Sequence, residues 1–416
     1  MIGALCRSSV RAVPKFSLNV IPPPREPQVG TQAPRVVVLS EPMRRFKCNQ
    51  KGCCCSGWDI PFRLEDFLRL HENLQGAEKA DLTHGIKLIL EGEPDAKTGR
   101  QVLDTLKLDG VGEDRACRFL AADKGCTVHA RYGPKALPDL CVDFPAFGYR
   151  HDDRVELWFD PVCPEVLEQL DESDEPLRLF TQPGFFGDEG LDLRVAHTED
   201  SIGGRIGKHE LELSALDRIR AESVEAFASP RPVWQSLAAV AHAFRRLRIG
   251  NEAAFEIVEP EDLQPFLAFL FDCVAAHGAD LLAATAARYR RFIWSIDPAL
   301  LLSRLPAVAQ HLHAWQPAFE KWLAPQDELL RPLAARYLAH RFGAPMVKGR
   351  GDLRESCDGI VHIYATSLRF AAAFGAALEQ PVDRDLYKAA LGTAEFFFRS
   401  LNLPREALPW FSAATR

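Results

Sequence analysis

The apolar and polar positions along the chain fall into two textures. From about residue 209 to residue 400 the apolar residues return at three- and four-residue spacing over long windows. That period predicts amphipathic helices over 209–227, 233–248, 260–276, 279–294, 298–312, 326–342, 354–376 and 383–400. Pro230, Pro232, Pro260, Pro265, Pro298 and Pro306 mark starts or breaks, because proline fits a first helical turn and disrupts an interior one. From Phe46 to about Leu170, Gly and Pro instead punctuate short apolar runs such as Trp58–Phe62 and Val155–Phe159. This part predicts irregular chain with short strands, plus helices over 64–74 and 79–90. A Pro-, Gly- and Asp-rich joint at 181–192 separates the two textures. Pro22, Pro23, Pro24, Pro27 and Pro34 predict an extended, disordered tail over 1–40. No repeat of solenoid type is visible.

Composition narrows the classes of function. The 416 residues carry 50 Lys+Arg against 57 Asp+Glu, a net charge of −7, and 47% of them are hydrophobic. Such a chain can bury ordinary cores, and without a basic block it is not expected to bind nucleic acid or an anionic membrane. With a mean hydropathy of −0.12, no membrane span is expected either. Residues 1–25 lack the apolar core and cleavage site of a secretory signal, so the expected location is a reducing cytoplasm.

Cysteine is the unusual quantity. Eight of the eleven, namely Cys48, Cys53, Cys54, Cys55, Cys117, Cys126, Cys141 and Cys163, crowd into the first texture, leaving Cys6, Cys273 and Cys357 elsewhere. A thiolate cluster is what zinc and iron–sulfur centres require, since each thiolate neutralises charge and bonds a soft metal strongly. Eight ligands suffice for two four-ligand centres, or for one centre with spare thiols. Lys47, Lys51, Arg115 and Arg118 lie close in sequence to the thiols, where cations favour the thiolate. His129, two residues beyond Cys126, is a substitute ligand or an ordinary hydrogen-bonded imidazole. Disulfides and unligated or redox-sensing thiols are the competing readings of the group. The expected fold is therefore mainly α. An irregular cysteine-rich metal-binding segment with short strands, 41–180, packs on a C-terminal helical domain, 181–416.

Several of these pieces also resemble a known family. Phe46-x-Cys48, Cys54-Cys55-x-Gly57-Trp58, Cys117-x-Phe119-Leu120, Gly125-Cys126-x-Val128-His129, Leu140-Cys141-x-x-Phe144-Pro145 and Cys163-Pro164-Glu165 are similar to motifs of the cysteine-cluster family described as zinc- or iron-chelating proteins. Gly57-Trp58 and Cys163-Pro164-Glu165 resemble its flagellin lysine-N-methylase branch, as do Tyr337-Leu338-x-x-Arg341-Phe342 and His362-Ile363-Tyr364 less specifically. The resemblance implies a methyl transfer to a protein lysine, with a flagellin-like protein as substrate and S-adenosylmethionine as donor. Family members commonly place a cysteine two or three residues before the adjacent pair, whereas Cys53 here abuts Cys54-Cys55.

No donor motif accompanies that implication, and the sequence assigns no catalytic residue. Gly203-Gly204-Arg205-Ile206-Gly207 is the one Gly-rich candidate, and it lacks a surrounding strand–helix–strand pattern, so it reads as a surface loop. The acidic run Asp171-Glu172-x-Asp174-Glu175 reads as a solvated turn. Asp143, Glu156, Asp160 and Glu165 are candidates to recognise a substrate lysine, or carboxylates that merely support the cysteines. Trp315, Phe319 and Trp322 share helical spacing and are read as core, with a peptide groove between the helical half and the cysteine segment as the alternative. Two further functions compete with methyl transfer: a non-catalytic interaction module held by structural metal, and a redox or electron-transfer protein.

Overall fold

The computed structural model describes residues 36–40, 46, 55, 60–62, 64–91, 102–108, 110–111, 116–121, 125–151, 154–183, 204–248, 255–275, 277–289, 298–344 and 352–400. In chain order the first elements are β1 (Val36–Ser40), β2 (Ile60–Phe62), α1 (Leu64–Asn73), α2 (Gly76–Gly85), β3 (Ile86–Glu91) and β4 (Val102–Leu108). There follow α3 (Thr127–Tyr132), α4 (Asp139–Asp143), β5 (Ala146–His151), β6 (Arg154–Phe159), α5 (Pro164–Asp171), β7 (Leu179–Pro183), β8 (Arg205–Ile206) and β9 (His209–Glu210). The remainder is helical: α6 (Leu213–Ala226), α7 (Val233–Arg246), α8 (Gln264–Ala275), α9 (Ala279–Tyr289), α10 (Pro298–His313), α11 (Trp315–Ala318), α12 (Asp327–Gly343), α13 (Leu353–Leu378) and α14 (Arg384–Ser400). The protein is mainly α.

Two hydrophobic cores organise these elements. The smaller gathers Ile60, Leu70, Leu74, Leu82, Leu106, Leu108, Phe119, Val128, Ala136 and Leu137 around the antiparallel sheet β2-β4-β3. The larger runs through α5 to α14 and includes Phe159, Leu216, Leu237, Tyr337, Phe370, Tyr387 and Phe397. Its sheet has the order β5-β6-β1-β7, with β1 parallel to β6 and antiparallel to β7. Residues 146–177 thus share their core with the helices, although the sequence pattern grouped them with the cysteine segment.

Two elements depart from the expected pattern. The tail 1–40 was expected to be disordered throughout, but Val36–Ser40 is an inner strand of the four-stranded sheet. Its Val-Val-Val-Leu run is rich in β-branched residues, which favour extended chain, and the prolines before it obscured that signal. The helix expected over 79–90 ends at Gly85, where Ile86–Glu91 turns into a strand paired with β4. A side chain at Gly85 would collide with the Arg118 side chain lying against it.

Capping fixes α13, the long central helix. Asp352 accepts the Arg354 backbone N–H, while Glu355 reaches back to the Asp352 backbone N–H. The helix ends at Glu379, which adopts left-handed backbone with φ of 55°. By length and hydropathy α13 could cross a membrane, yet 94% of its apolar window is buried inside the fold, which accounts for its composition.

Buried arginines tie the larger core together by capping helix C-termini, whose last carbonyls lack helical partners. Arg369 donates to the carbonyls of Val274 (2.7 Å), His277 (2.9 Å) and Leu312 (3.0 Å), at the ends of α8 and α10. Arg336 donates to Leu170 at the end of α5 (2.8 Å), and Arg220 to Gly343 at the end of α12.

Candidate metal centre

The cysteine positions follow from the turns that carry them. Cys117 donates its backbone N–H to the carbonyl of Cys55 at 2.6 Å. From there the chain folds back on itself, with Leu120 paired to Cys126 and the Thr127 N–H bonded to the Phe119 carbonyl (2.8 Å). The reversal sets Cys126 one residue ahead of α3 and sinks Phe119 and Val128 into the smaller core. Cys141 arrives on α4, where its N–H bonds the Pro138 carbonyl at 2.9 Å. Cys117, Cys126 and Cys141, all half-buried, pack against the smaller core.

Of the eight candidates, Cys55 and Cys117 are joined by a backbone hydrogen bond, and Cys117, Cys126 and Cys141 pack against the smaller core. Cys163 does not join them. It precedes α5, bonds the Asp160 carbonyl through its N–H (2.9 Å) and packs against the larger core. Cys48, Cys53 and Cys54 lie outside the described residues. Four soft donors suit zinc or an iron–sulfur centre in number and chemistry. Among the described residues, no group of three or more Cys, His, Asp or Glu side chains is assembled closely enough to hold an ion.

Two further cysteines behave as expected of core residues. Burial pushes the thiols of Cys273 and Cys357 well above their ordinary pKa. The Cys273 Sγ lies 3.5 Å from Nε2 of His362, whose own pKa burial lowers to about 4, with His277 adding to the shift. A neutral thiol beside a neutral imidazole is the reverse of an activated thiolate pair.

The acidic candidates have structural work. Glu156, 1% exposed, is clamped between Arg220 at 2.6 Å and Arg154 at 2.5 Å, and Arg154 also grips Asp217 at 2.6 Å. It is not available to a substrate lysine. Asp160 accepts the Val162 N–H at 3.0 Å and so holds the turn that presents Cys163. Glu165 stands in the first turn of α5, where a carboxylate offsets the helix dipole, and the Asp143 side chain lies outside the described residues. His129 is half-buried within α3. The acidic run after α5 is not a free turn: Asp171 and Asp174 bind Arg384 at 3.1 and 2.6 Å, and Lys388 meets Glu168 and Asp171.

The Gly-rich candidate also resolves. Gly207 (φ 61°) and Lys208 form the turn of the β8-β9 hairpin, whose Gly207 N–H bonds Asp352 ahead of α13. No strand–turn–helix phosphate or donor loop forms there.

A feature the sequence did not single out is a cavity of about 200 Å³ inside the helical half. Trp234, Phe271, Trp315, Phe319, Tyr364 and Tyr387 form much of its wall, with Asp327 and Arg331 also lining it. Trp315 and Phe319 thus wall a space between helices as well as packing on the core, while Trp322 packs on the core. Their helical spacing is the same in both situations, so periodicity could not separate them.

Comparison with known proteins adds one distant relation. The chain is 22% identical over 154 residues to the flagellar biosynthetic protein FliU of Salmonella muenchen, spanning 36% of this chain and 86% of that protein. No family model matches the chain, and no solved structure matches it.

Proposed function

We propose that this is a cysteine-ligated zinc or iron–sulfur protein related to flagellin lysine N-methylases, which methylates a lysine of a flagellin-like protein. The packing of Cys117, Cys126 and Cys141 against the smaller core, with Cys55 hydrogen-bonded to Cys117 through the backbone, supports the metal part of this reading. Cys48, Cys53 and Cys54, outside the described residues, are further candidate ligands, and Cys163, against the larger core, is a candidate for a separate centre. The similarity to a flagellar protein supports the choice of partner. S-adenosylmethionine would supply an electrophilic methyl group, its S–CH3 bond breaking to leave the thioether S-adenosylhomocysteine. The substrate lysine reacts as the neutral amine, its proton passing to solvent. Donor-binding residues are not assigned, because the one Gly-rich segment is a hairpin turn.

The test is anaerobic purification followed by metal and sulfide analysis, an absorption spectrum, and titration with S-adenosylmethionine. Stoichiometric zinc or iron, micromolar donor binding and methylation of a flagellin-type protein are the expected outcomes. Absence of any bound metal would overturn the reading.

A second reading rests on a specific observation, the small size of the core beside the cysteines. In it, metal only holds the fold and the helical half binds a partner. Stoichiometric metal without donor binding would favour this module.

A further inference from the structure

The cavity among the helices has an apolar interior and a charged mouth. Phe271 stacks on Trp315 with ring centroids 5.8 Å apart, and Trp315 meets Phe319 edge-on at 6.1 Å, so its aromatic wall is braced. Phe319–Leu323 is a π-helical turn, an irregularity that proteins concentrate at functional sites. At roughly 150 Å³ an apolar cavity already takes benzene, so about 200 Å³ holds an aromatic or large aliphatic side chain.

Asp327, in the first turn of α12, and Arg331 one turn later are joined by a 3.1 Å ion pair, and both line this cavity. Asp327 is close enough to reinforce the effect of burial on the Tyr364 hydroxyl, whose pKa stands at about 12. The guanidinium also reaches the Pro230 carbonyl at 3.5 Å, while its buried Nε–H has no hydrogen-bond partner among the described residues. A lone organic cation would meet Arg331, and a lone anion would meet Asp327, so neither is electrostatically favoured. A ligand bearing both charged groups on one carbon matches the pair.

We propose that this cavity binds a free α-amino acid with a large apolar or aromatic side chain, its ammonium meeting Asp327, its carboxylate Arg331, and its side chain filling the interior. The site is separate from the cysteines, and its occupation requires neither metal nor methyl donor.

L-phenylalanine is the direct probe, titrated calorimetrically into the full-length protein alongside N-acetyl-L-phenylalanine, L-phenylalaninamide and toluene. The zwitterion should bind at least about tenfold more tightly than any of the three. Arg331→Gln should abolish the preference over the amide, and Asp327→Asn the preference over the N-acetyl compound. Ala324→Trp, at an exposed position on the rim, should block binding with the thermal transition preserved. Toluene binding as tightly as L-phenylalanine, choline binding more tightly, or no L-phenylalanine binding up to about 10 mM would overturn the proposal.

Discussion

The two cores answer the cost of chain ordering in different ways. Among the described residues, the smaller one has ten buried apolar side chains, of which Phe119 is aromatic. The larger one buries Tyr337, Tyr387, Phe159, Phe244, Phe342, Phe370, Phe374, Phe396 and Phe397 almost completely. Ordering each residue costs about 1–2 kcal/mol, and the larger core offsets this with enough surplus to bury charge. Arg220, Arg336, Arg369, Glu395 and Lys388 all sit inside or against the larger core with their partners. On the proposed reading a metal fastens the smaller core, against which Cys117, Cys126 and Cys141 pack.

The strongest way to break this comparison is to remove the fastening. Cys117→Ser, Cys126→Ser and Cys141→Ser should each release metal and cost several kcal/mol locally, because metal-binding free energy is folding free energy at such sites. Hydrogen exchange should then show lost protection in α1 and β4 with α13 and α14 unchanged. Cys273→Ser should leave metal content intact. Loss of protection throughout the chain would mean that the cores are not energetically separate.

Next in size is Arg369→Leu. It strips donors from three buried carbonyls at two helix ends, at a cost of about 3–5 kcal/mol. Denaturant unfolding of α8–α14 should register it, while the smaller core keeps its protection.

The pH response sharpens the same contrast. His340 is buried and neutral, its Nε2 2.7 Å from the Phe159 carbonyl, and its pKa is lowered to about 4, with Arg341 contributing to the shift. His362 is lowered to about 4 as well. A folded pKa below the unfolded value of about 6.5 means that the unfolded chain takes up protons first. Stability therefore falls as pH drops from about 6.5 to 4, by about 3 kcal/mol per histidine. Asp358, raised to about 6 mainly by burial, acts in the opposite direction below pH 6 and offsets about one histidine. His340→Gln should flatten the wild-type decline in denaturation midpoint, and an unchanged slope would remove His340 from the account.

The smallest effect belongs to the rim of the larger core. Arg384→Ala breaks half-exposed ion pairs to Asp171 and Asp174 and should cost about 1 kcal/mol or less, decreasing with added salt.

Legibility followed the same division. The helices expected over 233–248, 298–312 and 383–400 match α7, α10 and α14 to within a few residues, because a 3.6-residue period needs no partner to be visible. Strands fared less well. The Trp58–Phe62 run contains β2 and the Val155–Phe159 run lies within β6, but Val36–Ser40 depends on pairing with chain far away in sequence, and Ile86–Glu91 was absorbed into an expected helix. Among the acidic candidates, Glu156 looked like its neighbours until Arg154 and Arg220 closed on it.

The sequence by itself determined the helical character of most of residues 213–400 and the local crowding of cysteines, since periodicity and composition are properties of neighbouring residues, whereas 209–210, expected as helix, form strand β9. Only the tertiary structure decided that Cys117, Cys126 and Cys141 pack against one small core while Cys163 belongs to the other. It alone decided that Trp315 and Phe319 wall a cavity with Asp327 and Arg331. Which side chains meet across such sequence distances is fixed by the packing of whole elements, and that packing leaves no periodic trace in the chain.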